Sequence, residues 1–70
     1  MTETEKLGLF LTAIRKQKGL SQAQLAEMTG IQQPNIVKIE KGIQSPTYEK
    51  LAPILKALDL VIIPIDTIDS

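Results

Sequence analysis

Gly19-Leu20-Ser21-Gln22-Ala23-Gln24-Leu25-Ala26-Glu27-Met28-Thr29-Gly30-Ile31 is the stretch whose reading decides the fold. Ser21 is a strong helix N-cap, because its hydroxyl accepts from a first-turn N–H that has no intrahelical partner. Gln24, three residues on, reaches back to the cap's own N–H and completes a capping box. Leu20 and Leu25 occupy the positions that staple the incoming chain to the first turn. Leu25, Ala26 and either Met28 or Thr29 are expected to face inward. Gly30 stops the helix, since the residue beyond it turns left-handed and only glycine does so without steric cost.

A second short helix follows. Pro34 suits a first helical turn, where a missing N–H is no loss. The restriction on the residue before a proline nominates Gln33 as N-cap. Ile36 and Ile39 form the inward stripe, and Gly42 ends the helix. Two short helices joined by a glycine turn, with small Ala26 at their crossing and Leu25, Ile31, Ile36 and Ile39 between them, make a helix-turn-helix over about 21–41.

Outward from this unit, Leu7, Phe10, Leu11 and Ile14 recur at spacings of three and four, predicting a helix from about Thr4 to Lys18. Arg15, Lys16 and Lys18 suit its negative C-terminal end, and Gly19 closes it. On the other side Thr47 is the expected N-cap of a fourth helix with Leu51, Ile54, Leu55 and Leu58 inward. Pro53 interrupts that pattern and is expected to remove one backbone bond and kink the helix. Leu60-Val61-Ile62-Ile63-Pro64-Ile65 is rich in β-branched residues and reads as a strand. The expected organisation is a helical domain over 4–59, a strand over 60–66 and a polar tail over 67–70.

Composition narrows the function. Seventy residues make one small domain, which buries only ~60% of the surface its unfolded chain exposes. The chain has no cysteine and no histidine, which removes disulfides, the usual zinc sites and the commonest general base. The expectation is no metal, no cofactor and no enzymatic activity. No apolar run reaches membrane-spanning length, and the acidic start Met1-Thr2-Glu3-Thr4-Glu5 is unlike a signal peptide, so a cytoplasmic protein without a membrane partner is expected. Eight basic and eight acidic residues cancel, which argues mildly against nucleic acid as a partner. The charges are not evenly spread. From Lys6 to Lys41 there are six basic residues against Glu27 and Glu40 alone, so one basic face is available on a neutral chain.

The stretch Gly19–Ile31, together with Ile36-Val37-Lys38-Ile39-Glu40-Lys41-Gly42, resembles the Cro and phage-repressor (XRE-type) family, and the resemblance runs from about Leu7 to Leu60. It implies an all-α, compact, four- to five-helix lambda-repressor-like bundle, here with a short C-terminal β-strand, whose third helix lies in the DNA major groove. It implies a transcriptional repressor acting on double-stranded DNA. The end of the fourth helix running into an apolar strand is similar to HipB-type antitoxins, in which the strand pairs across a dimer.

On that reading Gln32, Gln33, Pro34, Val37 and Lys38 are the expected base contacts. Glutamine matches adenine N6 and N7, lysine favours guanine O6 and N7, and valine packs on a thymine methyl. Gln22, Asn35, Lys41, Gln44 and Ser45 are the expected phosphate contacts. The resemblance gives Gln22 the further task of bracing the third helix, and it pairs Arg15 with Glu40. Leu60, Val61, Ile62, Ile63 and Ile65 form the expected dimer strand, because one isolated strand has no partner for its backbone groups. A homodimer reading a palindromic operator follows. The competing reading is a protein-interaction module that holds a toxin partner, favoured by the apolar tail and zero net charge.

Overall fold

The computed structural model describes residues 1–60. Helix α1 spans Glu3–Gln17, α2 Gln22–Thr29, α3 Gln33–Glu40 and α4 Tyr48–Ala57. Among the described residues every regular element is helical. The strand expected over 60–66 and the tail over 67–70 lie outside them, apart from Leu60.

Each helix starts and stops for a local reason. α1 begins one residue earlier than the apolar spacing predicts, because Thr2 and Glu5 form a capping box that the spacing does not reveal. The Thr2 hydroxyl accepts from Glu5 N at 3.1 Å, and Thr2 N donates to Glu5 Oε1 at 2.8 Å. At the start of α2, Gln24 N donates to Ser21 Oγ at 3.0 Å and Ser21 N to Gln24 Oε1 at 2.8 Å. Gly30 then turns left-handed at φ 73°. Thr29, not Met28, is the inward residue of the last turn, and its hydroxyl bonds to Leu25 O at 2.8 Å. The N-cap of α3 is Gln32 rather than Gln33. Its carbonyl accepts from Asn35 N at 2.9 Å and Ile36 N at 3.2 Å. Those bonds draw Gln33 into the helix against the bias of a residue preceding proline. α4 keeps Pro53 inside it.

α3 packs between α1 and α2, and α2 also packs on α4. Leu11, Leu25, Ile31, Ile36, Ile39, Ile54 and Leu58 form the buried core. Phe10, expected on the inner face of α1, is 49% exposed. The docked face of α1 is instead set by Gly8, Leu11 and Arg15, and Phe10 lies about 160° round the helix from Gly8. Gly8 decides that orientation. A Cβ there would sit 2.5 Å from the Glu40 carbonyl oxygen and 2.6 Å from that of Ile39. No other residue lets the α1 backbone come so close to the end of α3.

Gly8→Ala must therefore push two packed backbones apart, which costs about 1–3 kcal/mol. Gly19, at φ 72° with nothing within 4 Å of an added Cβ, should lose only the ~1 kcal/mol of a left-handed backbone on Gly19→Ala. Urea denaturation of both variants checks this. A Gly8→Ala loss no larger than that of Gly19→Ala would contradict the close contact.

Candidate nucleic-acid interface

The end of α3 is held by a buried ion pair. Arg15 Nε donates to Glu40 Oε2 at 2.7 Å and Arg15 Nη2 to Glu40 Oε1 at 3.0 Å, a two-pronged fork. Arg15 Nη1 donates to the Leu20 carbonyl at 2.8 Å, and Gln22 Nε2 to Glu40 Oε1 at 3.0 Å. The four bonds tie α1, the α1–α2 turn, the first turn of α2 and the last residue of α3 to one carboxylate–guanidinium unit. Arg15 is 7% and Glu40 8% exposed. Charges so far from water are tolerable only when paired and fully bonded. That condition is met: among the described residues no buried side-chain nitrogen or oxygen lacks a partner.

Burial alone would push the Glu40 carboxyl up. The bonds from Arg15 and Gln22, the Arg15 charge and the Thr12 hydroxyl outweigh it and hold the group below its ordinary 4.5. A carboxyl lowered by folding adds stability that is present above the unfolded value and disappears as pH falls through the folded one. This unit therefore works at neutral pH and fails only in acid.

The outer face of α3 is open. Gln32, Gln33, Pro34 and Lys38 are exposed, while Asn35 and Val37 are half-buried. The cap side chain of Gln32 makes no hydrogen bond to the helix. α3 is thus fixed through Ile36, Ile39 and Glu40 and presents its N-terminal residues and, further along, Lys38 to solvent. Of the remaining polar candidates, Gln22 and Lys41 meet around one shallow cleft of about 440 Å³, floored by Arg15 and Glu40 with Thr12 and Lys16 alongside. Gln44 and Ser45 stand apart from that cleft in the α3–α4 loop, where Gln44 N donates to Lys38 O at 3.3 Å. Thr12, Gly8 and the Leu20 carbonyl support the unit, and sequence reasoning had not singled them out. A glycine in the middle of an apolar helical pattern was the one available signal for Gly8. Among the described residues no cluster of three or more His, Cys, Asp or Glu is placed to hold a metal ion, and no helix is long and apolar enough to cross a membrane.

Two short helices crossing at a glycine turn, the second clamped behind and open in front, define a helix-turn-helix protein. The chain belongs to the XRE-type helix-turn-helix family, matching its profile over residues 11–61. It is 44% identical over 55 residues to an uncharacterised HTH-type transcriptional regulator of Haemophilus influenzae, covering 73% of this chain and 56% of that protein. A regulator of the same description from Mycobacterium tuberculosis is 35% identical over 51 residues, covering 73% of this chain and 36% of that protein. The chain thus spans about half of the first relative's length and about a third of the second's. The crystal structure of the restriction-modification controller protein C.AhdI from Aeromonas hydrophila superposes with a TM-score of 0.82 at 29% identity, covering 84% of this chain and 89% of that one.

Because Arg15 and Glu40 touch, their substitutions should not add. Arg15→Met and Glu40→Gln should each destabilise by about 3–5 kcal/mol, the cost of stranding one buried partner. The double variant should lose clearly less than the sum. In the wild-type chain, stability should hold from neutral pH to about the ordinary carboxyl range and drop below it; that acid drop should shrink in Glu40→Gln. Chemical denaturation across pH 2.5–7 reads both effects, and strict additivity would break the account of the pair.

Proposed function

We propose that this chain is a sequence-specific DNA-binding transcriptional regulator, acting as a homodimeric repressor on a palindromic operator. The observation that carries the reading is the division of α3. Its inner face and C-terminal end are immobilised by Arg15, Gln22 and Glu40, and its outer face exposes amide and ammonium groups that make no side-chain hydrogen bond or ion pair among the described residues. A rigid helix with free donors and acceptors at its leading end suits the major groove. Gln33 and Gln32 approach adenine edges there, Lys38 a guanine, and Val37 and Pro34 offer apolar contact to a thymine methyl. Gln22, Asn35, Lys41, Gln44 and Ser45 supply phosphate donors around it, and these fix register without reading sequence.

The homologues named as transcriptional regulators and the likeness to a restriction-modification controller support regulation as the role. Dimerisation rests on the sequence 60–65, with five aliphatic residues in six. Leu60 is already tied to the bundle, its N–H bonded to Leu55 O at 2.8 Å and its side chain packed on the core, so the pairing falls to Val61, Ile62, Ile63 and Ile65; the same strand of a second copy would bury them and set two α3 helices one DNA turn, roughly 34 Å, apart. The same apolar stretch would also serve an antitoxin holding a toxin partner in the cytoplasm, which DNA binding does not exclude.

Selection from random DNA should recover a two-fold symmetric site. Gln33→Ala should weaken that site by about 1–3 kcal/mol and relax preference at one or two base pairs, whereas Gln22→Ala should weaken all DNA alike. Unchanged specific affinity in Gln33→Ala would remove α3 from the groove. Sedimentation at micromolar concentration should give a dimer for the full chain and a monomer for a chain ending at Asp59. A monomeric full chain that still binds its site at full strength would remove the strand-mediated dimer.

A further inference from the structure

Three of the four helices end in the same way. After α1, Leu20 N bonds to Arg15 O at 3.1 Å and Gly19 N to Lys16 O at 3.0 Å. After α3, Ile43 N bonds to Lys38 O at 3.0 Å and Gly42 N to Ile39 O at 3.1 Å. After α4, Leu60 N bonds to Leu55 O at 2.8 Å and Asp59 N to Lys56 O at 3.2 Å. Each is a Schellman ending, in which an apolar residue two places beyond the cap folds back toward the helix it has left. Leu20 and Leu60 do so and pack on the core. Ile43 occupies the same position and is 71% exposed.

The difference lies in what each residue is tied to. Leu60 is bonded back to Leu55, and Leu20 to Arg15, both on packed faces. Ile43 is bonded back to Lys38, on the exposed face of α3. Nor is it a loose loop residue. Gly42, at φ 75°, lies so close to α1 that an added Cβ would fall 2.7 Å from Glu5 Cα. The backbone that carries Ile43 is thus pinned on both sides, by Lys38 and by α1. A β-branched side chain on a fixed backbone has little rotamer freedom left to lose on binding.

We infer that Ile43 is an apolar DNA contact, laid beside Lys38 against C–H surface at the edge of the groove. This inference rests on the DNA-binding reading above. The surface it meets is a thymine methyl or the deoxyribose of the groove wall, which share the same chemistry toward an aliphatic side chain. In this position a lysine or arginine would add phosphate affinity blind to sequence. An isoleucine adds contact that depends on the shape and methyl content of the site.

The test uses the full chain and the duplex recovered from random-sequence selection, with an unrelated duplex beside it. Ile43→Ala should nearly keep its melting temperature, because the side chain is 71% exposed and lies outside the core, and lose about tenfold in affinity for the selected site. Its salt dependence should not change, since no charge is removed. Ile43→Val should recover most of the loss. Ile43→Lys should bind the unrelated duplex more tightly, with a salt slope steeper by about one, and discriminate less. Thymine-to-uracil replacement separates the two surfaces. If the contact is a methyl, one uracil weakens the wild type and leaves Ile43→Ala unaffected. If it is deoxyribose, no uracil matters and Ile43→Ala weakens both duplexes. Ile43→Ala binding both duplexes as the wild type does would overturn the inference while leaving the DNA reading intact. A wild-type chain that prefers no duplex over another would overturn that reading instead.

Discussion

Arg15 and Glu40 lie twenty-five residues apart along the chain yet share two hydrogen bonds, and no water reaches most of either side chain. A small domain gains little net stability from such a pair, since desolvation consumes most of the attraction. What the pair provides is position. Arg15 sits on α1, and the carboxylate it holds is the final residue of α3, so the height and tilt of α3 are referred to α1. Gln22 and the Leu20 carbonyl bring α2 and the α1–α2 turn into the same unit. Gly8 serves the same end without any charge, by removing the side chain that would hold the two helices apart.

The consequence is a helix with two unlike faces. Ile36, Ile39 and Glu40 are buried and answer to the fold. The side chains of Gln32, Gln33, Pro34 and Lys38 face solvent, and among the described residues none of them is held by a hydrogen bond or ion pair. A helix of eight residues is too short to be stable in water by itself. Its rigidity is borrowed from the core and the ion pair, which leaves the side chains of Gln32, Gln33 and Lys38 free of packing duty. On the proposed function, that is how a neutral chain of seventy residues would carry a reading surface: the charge and polarity needed are local to one helix and its rim.

Much of this was legible in the residues, and the legible parts share a cause. Ser21 with Gln24, Gly30 and Gly42 act within three or four positions along the chain, so their consequences follow from short-range sterics and hydrogen bonding. The parts that were misread depend on the third dimension. Phe10 has the right spacing for a core residue, but Gly8 docks closer than any larger residue could and turns Phe10 outward. Gln33 obeyed the rule for a residue before proline until the Gln32 carbonyl collected two bonds. Thr2 and Glu5 formed a cap that the apolar pattern, starting at Leu7, gave no reason to seek. Among the site candidates, the shared cleft of Gln22 and Lys41 follows from the packing of α1 on α3, which spacing along the chain does not contain.

The central claim is that α3 faces the DNA with its front half while its rear stays fixed. Backbone amide shifts of the labelled chain, followed as the selected duplex is added, test it directly. The account predicts large changes from Gln32 to Lys38 and at Gln22. It predicts small ones at Ile39 and Glu40, and the Arg15 side-chain Nε–H signal retained throughout. Changes concentrated on α4 or on the outer face of α1, with α3 undisturbed, would contradict it.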